Sequence, residues 1–288
     1  MRDHIRETAL VCVKEGGAIL LDYHRKLGSL EVQAKGRFDY VTEADLAVQE
    51  ALLRLIRARH PGHDILAEEG SAGERRHAMR WILDPLDGTT NFIHGFPAFA
   101  VSLALEHEGS LELGAIYDPS RDELFFAQKG KGATLNGMPF RVSERNRPEE
   151  ALIATALPWR QKSFLAKYLE ALARIFDRVN DLRRTGSAAL DLAYVACGRC
   201  DGFWEVGLRP WDIAAGHVLV REAGGTISDF SGGGDHVWVG DVVAGTPGVH
   251  RFLLGVVREV FGGNVSSPVS PRRWGGGRTT PTPPPTDR

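Results

Sequence analysis

Two acids three residues apart, Asp84 and Asp87, stand within the stretch Trp81-Ile82-Leu83-Asp84-Pro85-Leu86-Asp87-Gly88-Thr89-Thr90-Asn91-Phe92. Its donors are oxygens, and an all-oxygen set selects hard cations such as Mg²⁺. Two carboxylates side by side repel each other; divalent cations between them remove that repulsion. Gly88 admits backbone shapes that other residues resist, and Thr89 and Thr90 suit the opening of a helix. The free N–H groups of a helix start suit a phosphate. Together these features suit metal-assisted hydrolysis of a phosphate ester. The plain alternative is a strand ending in a polar turn, with Asp84 as a cap and Asp87 solvated. It leaves unexplained why two acids, a glycine and two threonines crowd the end of an apolar run.

The elements around this stretch must hold it. Residues 81–83 read as the end of a buried strand, and Pro85 forces a turn after it. Residues 5–27 read as a first helix. A second starts at Thr42-Glu43-Ala44-Asp45, a capping-box pattern, and carries Ala44, Ala47, Val48, Ala51, Leu52, Leu55 and Ile56 on one face. Residues 64–67 form a strand, followed directly by Glu68-Glu69-Gly70. Spacing alone leaves these paired acids as either a solvated loop or the completion of a metal site. Residues 99–105, 111–117 and 123–127 make an antiparallel meander, and Asn136-Gly137 marks a hairpin. In the second half, strands at 151–156, 202–206, 226–229 and 242–244 alternate with helices at 161–179, 188–197, 212–222 and 249–260. That alternation implies an α/β layer.

The 288 residues, 43% hydrophobic and 25% charged, suffice for one large domain or two intimately packed ones. We expect an N-terminal α+β half over 1–148 with the metal motif, a C-terminal α/β half over 149–261, and a disordered Pro/Gly-rich tail over 262–288. A net charge of −2 gives no bulk attraction to nucleic acid or membrane. No apolar run is long enough to span a bilayer, and three cysteines are too few for a disulfide framework, so a cytoplasmic protein is the default. Cys197-Gly198-Arg199-Cys200 has redox spacing but falls at a helix C-terminus, where thiolates are not favoured; we read it as two structural thiols. No G-x-x-x-x-G-K-[ST] occurs, which excludes a P-loop NTPase. Phospho-aspartyl phosphatases need their second Asp two residues after the first, whereas here the interval is three.

The stretch 81–92 resembles the signature of the inositol monophosphatase family, lithium-sensitive and metal-dependent sugar phosphatases. The resemblance extends to Gly207-Leu208-Arg209-Pro210-Trp211-Asp212-Ile213-Ala214-Ala215-Gly216, Glu222-Ala223-Gly224-Gly225, Val41-Thr42-Glu43-Ala44-Asp45, Glu68-Glu69 and Gly130-Lys131-Gly132-Ala133, in family order over about residues 5–260. It implies a mixed α/β layered αβαβα sandwich, usually a homodimer, with Mg²⁺ at the end of the sheets. It implies one metal at Glu68, Asp84 and the carbonyl of Leu86, a second at Asp84, Asp87 and Asp212, and a third, weaker one facing Glu68. Thr89, paired with Asp45, would help activate the attacking water. The backbone of Gly88 and Thr89, beside Asp87, would bind phosphate, and Glu205, Asp212 and the backbone near Ala188 would hold substrate hydroxyls. The implied reaction is hydrolysis of a small phosphorylated polyol, inositol monophosphate first, with histidinol phosphate and fructose 1,6-bisphosphate as alternatives. Arg209-Pro210 borders the leaving group at a point where family members vary. Some bacterial relatives act in transcription antitermination through protein contacts, which is the competing, non-catalytic reading.

Overall fold

The structure is a computed structural model that describes residues 2–29, 31–36, 39–70 and 76–266. Helix α1 (Arg2–His24) leads to an antiparallel hairpin of β1 (Val32–Gly36) and β2 (Asp39–Thr42), then to α2 (Glu43–Arg59). Thr42 caps α2, and both halves of its box with Asp45 are formed. Next come β3 (Asp64–Ala67), β4 (Met79–Asp87), the short α3 (Thr89–Ile93), β5 (Ala100–His107), β6 (Ser110–Asp118), β7 (Glu123–Gln128), β8 (Ala133–Leu135) and β9 (Met138–Phe140). Among the described residues these strands form a seven-stranded sheet in sequence order, parallel at β3–β4 and antiparallel elsewhere.

The chain continues through β10 (Leu152–Thr155), α4 (Leu165–Phe176), β11 (Asp181–Arg183), α5 (Ala188–Ala196), β12 (Gly202–Glu205) and α6 (Pro210–Glu222). Among the described residues the last elements are β13 (Thr226–Ser228), α7 (His236–Val239), β14 (Val242–Gly245) and α8 (Pro247–Phe261). The second sheet runs β11-β10-β12-β14-β13, with β14 antiparallel to both neighbours.

Side-chain alternation along the strands divides the core into layers. Val101, Leu103 and Leu105 of β5 pack with α1 and α2 on one face of the first sheet. Ile82, Ala104 and Ala127 point the other way, into a layer made by α5 and α6, which is closed from above by Phe203, Val242 and Ala244 of the second sheet. The outer face of that sheet is covered by α4 and α8 through Tyr168, Ile175, Leu253 and Val257. The result is the expected αβαβα sandwich. One row across the first sheet is made of small residues: Ala104 faces Gly114, Gly114 faces Ala127, and Ala127 faces Ala133. This row lets α6 descend until a Cβ on Gly114 would lie 2.4 Å from the carbonyl oxygen of Ala215.

Several local expectations change. The helix expected over 161–179 is shorter at both ends: Lys162–Phe164 form a 3-10 turn, and α4 itself runs only from Leu165 to Phe176. Helix α6 starts two residues earlier than expected, with Pro210 in its first turn, where a missing N–H costs nothing. A short extended piece ending at Lys35 was expected and is β1, but neither its pairing with β2 nor helix α7 was foreseen. Beyond α8, the amides of Val265 and Ser266 donate to Asp241. Residues 267–288 of the expected tail lie outside the described residues. No helix among the described residues is long and apolar enough to cross a membrane.

Candidate active site

Strand β4 does not stop at Leu83. It continues through Pro85 to Asp87, and its pairing with β5 shifts register on the way: Asp84 faces Ser102 and Asp87 faces Ala100. Two residues of β4, Pro85 and Leu86, thus stand opposite the single residue Val101 of β5, which is a bulge, and Pro85 occupies a position where a sheet tolerates proline. The consequence is chemical. In a regular strand, residues three apart point to opposite faces. The bulge puts Leu86 into the α1–α2 core and brings Asp84 and Asp87 out on the same face, toward α6.

Helix α6 delivers the third acid. Asp212 sits in its first turn and accepts the N–H of Arg209 at 2.8 Å. One carboxylate oxygen from each of Asp84, Asp87 and Asp212 lies within 4.8 Å of the others. Glu68 follows β3, the parallel neighbour of β4, and its amide donates to the Leu83 carbonyl at 3.2 Å. The open question of the paired acids is thereby divided: Glu68 lines the cavity with Asp84 and Asp87, while the Glu69 backbone is gripped by the amide side chain of Gln49. Asp87 is oriented by α5, because Ser187 Oγ at 2.5 Å and the Ala189 amide at 2.8 Å both donate to its Oδ2.

Gly88 precedes α3 in the left-handed region (φ 96°), and a Cβ there would stand 2.8 Å from the Ala98 carbonyl oxygen. Glycine, not threonine, therefore caps α3. Thr89 turns its hydroxyl inward, 3.3 Å from Asp45 Oδ1 and 3.1 Å from the Leu86 carbonyl oxygen. With five residues, α3 has little macrodipole, so its N–H groups are what it can offer an anion. The second sheet contributes Glu205 at the end of β12.

A cavity of about 390 Å³ is lined by Glu68, Asp84, Leu86, Asp87, Gly88, Thr89, Ala188, Glu205 and Asp212; Asp45 stands behind Thr89. Residues that sequence reasoning did not single out also shape it. Asn91 bridges the halves by donating to the carbonyls of Ala98 (2.7 Å) and Thr185 (2.9 Å). Asp191, four residues after the Ser187 cap, is buried in the cavity lining, to which Trp159, Arg160, Lys162 and Arg184 also belong, Arg160 with its Nη1 3.4 Å from Asp212 Oδ2. Only the position of Ser187 at a helix start signalled any of these.

Burial and mutual repulsion set the acids of this site against one another. Burial, then the charges of Glu68, Asp87 and Asp212, holds the Asp84 carboxyl well above the usual carboxylate range. Burial, then Asp212, pushes Asp87 up to about 7 against the two hydrogen bonds that lower it. Buried oxygens that cannot all ionise together are a fit for hard divalent cations, whose charge reverses this logic. Asp84, Asp87 and Asp212 could hold such a cation, and Glu68 and Leu86 line the same cavity.

A pH dependence follows. A carboxyl whose folded pKa exceeds its unfolded value keeps, in the native state, a proton that the unfolded chain has already released. Its contribution to metal-free stability therefore falls as pH rises from about 4 through about 7. Mg²⁺ must displace that proton, so it binds more tightly above this window. We expect 10 mM Mg²⁺ to raise Tm by about 4 °C at pH 8 and by less than about 1 °C at pH 5.5. Comparing scans with and without Mg²⁺ at each pH cancels the titration of the histidines. Equal shifts at the two pH values would contradict the assignment.

Comparison with known proteins is consistent with this geometry. A family model described as the inositol monophosphatase family matches residues 1–260. The chain is 43% identical over 252 residues to "Nus factor SuhB" of Escherichia coli (strain K12), covering 87% of this chain and 94% of that protein. It is 44% identical over 248 residues to "Inositol-1-monophosphatase" of Mesorhizobium japonicum, covering 86% and 93%. The native crystal structure of extragenic suppressor protein suhB from Bartonella henselae matches with a TM-score of 0.86 at 40% identity, over 88% of this chain and 98% of that one. A buried three-aspartate cluster between the sheets of an αβαβα sandwich and these matches lead to one conclusion: the chain belongs to the inositol monophosphatase family.

Proposed function

We propose that this protein is a Mg²⁺-dependent phosphomonoesterase acting on small phosphorylated polyols, and that it also has a SuhB-type binding role in transcription antitermination. The observation that carries the enzymatic part is the meeting of Asp84, Asp87 and Asp212, from two remote parts of the chain, in one cavity with Glu68. Bound by these acids, Mg²⁺ neutralises a phosphate dianion and lowers the pKa of water.

The protein's own groups do the positioning. Asp45 is fixed by accepting both the amide and the hydroxyl of Thr42, at 2.8 and 2.5 Å. The Thr89 hydroxyl hydrogen has acceptors in Asp45 and the Leu86 carbonyl, which leaves a Thr89 lone pair to take a hydrogen bond from the attacking water. That bond orients the water, and Glu68 is the nearby carboxylate that can receive its proton. The amides of Gly88 and Thr89 face the phosphate. Glu205 and Asp212, with the backbone around Ala188, accept and donate to the hydroxyls of the leaving alcohol. Assembly as a homodimer and a cytoplasmic location belong to the same reading.

The second part rests on the identity to the relative named as a Nus factor, over nearly its whole length. This likeness speaks more directly for that role than for inositol monophosphate as the physiological substrate. Two measurements test the parts separately. Purified protein with Mg²⁺ is assayed in parallel on inositol 1-phosphate, histidinol phosphate, fructose 1,6-bisphosphate and adenosine 3′,5′-bisphosphate. At least one should turn over and stop on chelation; silence on all four removes the enzymatic part. Asp87→Asn should still complement a deletion strain if binding is the essential role, and should fail where the wild type succeeds if catalysis is.

A further inference from the structure

Asn91 lies in α3, one helical turn after Asp87, and is buried. Its Nδ2 carries two N–H groups, and each has its own acceptor: the Ala98 carbonyl at 2.7 Å and the Thr185 carbonyl at 2.9 Å. The first bond is local. The Ala98 carbonyl oxygen is also the atom that a Cβ on Gly88 would meet, so this bond closes the turn that bears the Gly88 amide. The second bond spans 94 residues of sequence and reaches the other half of the molecule. It ends beside Gly186, which has a φ of 89°. The missing side chain there makes room for the Asn91 amide, since a Cβ would stand 2.9 Å from Nδ2 and 3.0 Å from Oδ1.

The segment that Asn91 grips is the one that holds Asp87. Ser187 Oγ and the Ala189 amide both donate to a single oxygen, Asp87 Oδ2. Thr185 steadies the same segment: its hydroxyl donates to Asp191 Oδ1 at 2.8 Å and accepts the Ser187 amide at 3.3 Å. One turn of the first half, residues 87–91, thus clasps one segment of the second half at two points. The Asp87 clasp is made by a member of the three-aspartate cluster, so a cation there must share Asp87 with the docking of α5. The Asn91 clasp is a neutral amide outside the cluster, and it holds α5 whatever Asp87 binds.

We infer that Asn91 is a positioning residue: it fixes the start of α5 against the 87–91 turn, so that Ser187 and Ala189 meet Asp87 Oδ2 and aim its carboxylate for a cation. A purely local role, closing the 91–98 loop, would need only the bond to Ala98. The consequence for the cation rests on the metal-dependent reading of the site; the clasp itself does not.

Asn91→Ala, Ser187→Ala and the double variant separate these roles, and the first measurement needs no metal. The Ala189 and Leu190 amides donate to Asp87 and Ser187. Their hydrogen exchange should be about tenfold faster in metal-free Asn91→Ala, the size of one lost hydrogen bond, while the amides of α8 are unchanged. Acceleration confined to residues 96–98, or equal acceleration throughout the protein, would overturn the inference. The second measurement is binding of Mn²⁺, which takes the same oxygen ligands as Mg²⁺, followed by loss of the free-ion EPR signal. Its dissociation constant should rise about tenfold in each single variant and no further in the double variant, because both changes act through Asp87. Unchanged binding in Asn91→Ala, or losses that multiply in the double variant, would refute the positioning role. If the wild type binds no Mn²⁺, the metal-dependent reading fails, and exchange at Ala189 and Leu190 alone decides the clasp. Should Asn91→Ala not fold, Asn91→Ser, with a shorter donor, is read in the same way.

Discussion

Asp84→Asn is expected to lower kcat/KM by about a thousandfold, roughly 4 kcal/mol of transition-state stabilisation, while making the metal-free protein more stable. The two effects have one cause. Asp84 is 1% exposed and faces Glu68, Asp87 and Asp212. Without a cation, its carboxyl is a cost to the fold, and a neutral amide of the same shape relieves it. The bond from the Leu86 amide to Oδ1, 3.0 Å long, survives in asparagine. We expect metal-free Asp84→Asn to gain about 1 kcal/mol or more at pH 8, as when a buried charge is replaced by a neutral group of similar volume. The stabilisation by Mg²⁺ should disappear. Kinetics and paired thermal scans check both. Near-wild-type turnover would end the metal assignment, and a metal-free protein less stable than wild type would show that Asp84 has a structural partner instead.

The second large effect is expected far from any acid. Gly114→Val should cost about 3 kcal/mol, about 5 °C in Tm, and should weaken the Mg²⁺ response of whatever protein remains folded. A side chain at Gly114 meets α6 backbone: the carbonyl oxygen of Ala215 at 2.4 Å and its Cα at 2.9 Å. Sideways movement of α6 is restricted too, because its neighbouring residue Gly216 leaves no room against Leu192 of α5, where a Cβ would be 2.5 Å away. The helix must shift along or off the sheet and carry Asp212 away from Asp84 and Asp87. Gly255→Ala, on an exposed face of α8 with no atom within 4 Å of the new Cβ, is the matched control. It should leave the Mg²⁺ response unchanged and raise stability by about 0.5–1 kcal/mol through helix propensity. If Gly114→Val behaved like that control, close packing under α6 would not be what sets the distance between the acids.

Much of the frame was legible because its signals are local. The Thr42–Asp45 box, the face from Ala44 to Ile56, the meander from Ala100 to Gln128 and the turn at Asn136-Gly137, both with positive φ, each follow from residues a few positions apart. The motif around Asp84 and the one around Asp212 were likewise readable as pieces. Their donor types fixed which kind of cation could suit them, since that depends on atom type alone.

How the pieces join was decided by the tertiary structure. Pro85 looked like the end of a strand; pairing with β5 turned it into the bulge that sets Asp84 and Asp87 on one face. Gln49, Asn91 and Ser187 act on groups 20 to 100 residues away, and no local pattern marks such partners. The same holds for the small residues of the row under α6, which look like ordinary strand positions until a helix lies on them. Residue chemistry and short-range spacing belong to the sequence because they need only neighbours. Distances between remote carboxylates depend on which faces pack and how closely, and only the assembled layers determine that.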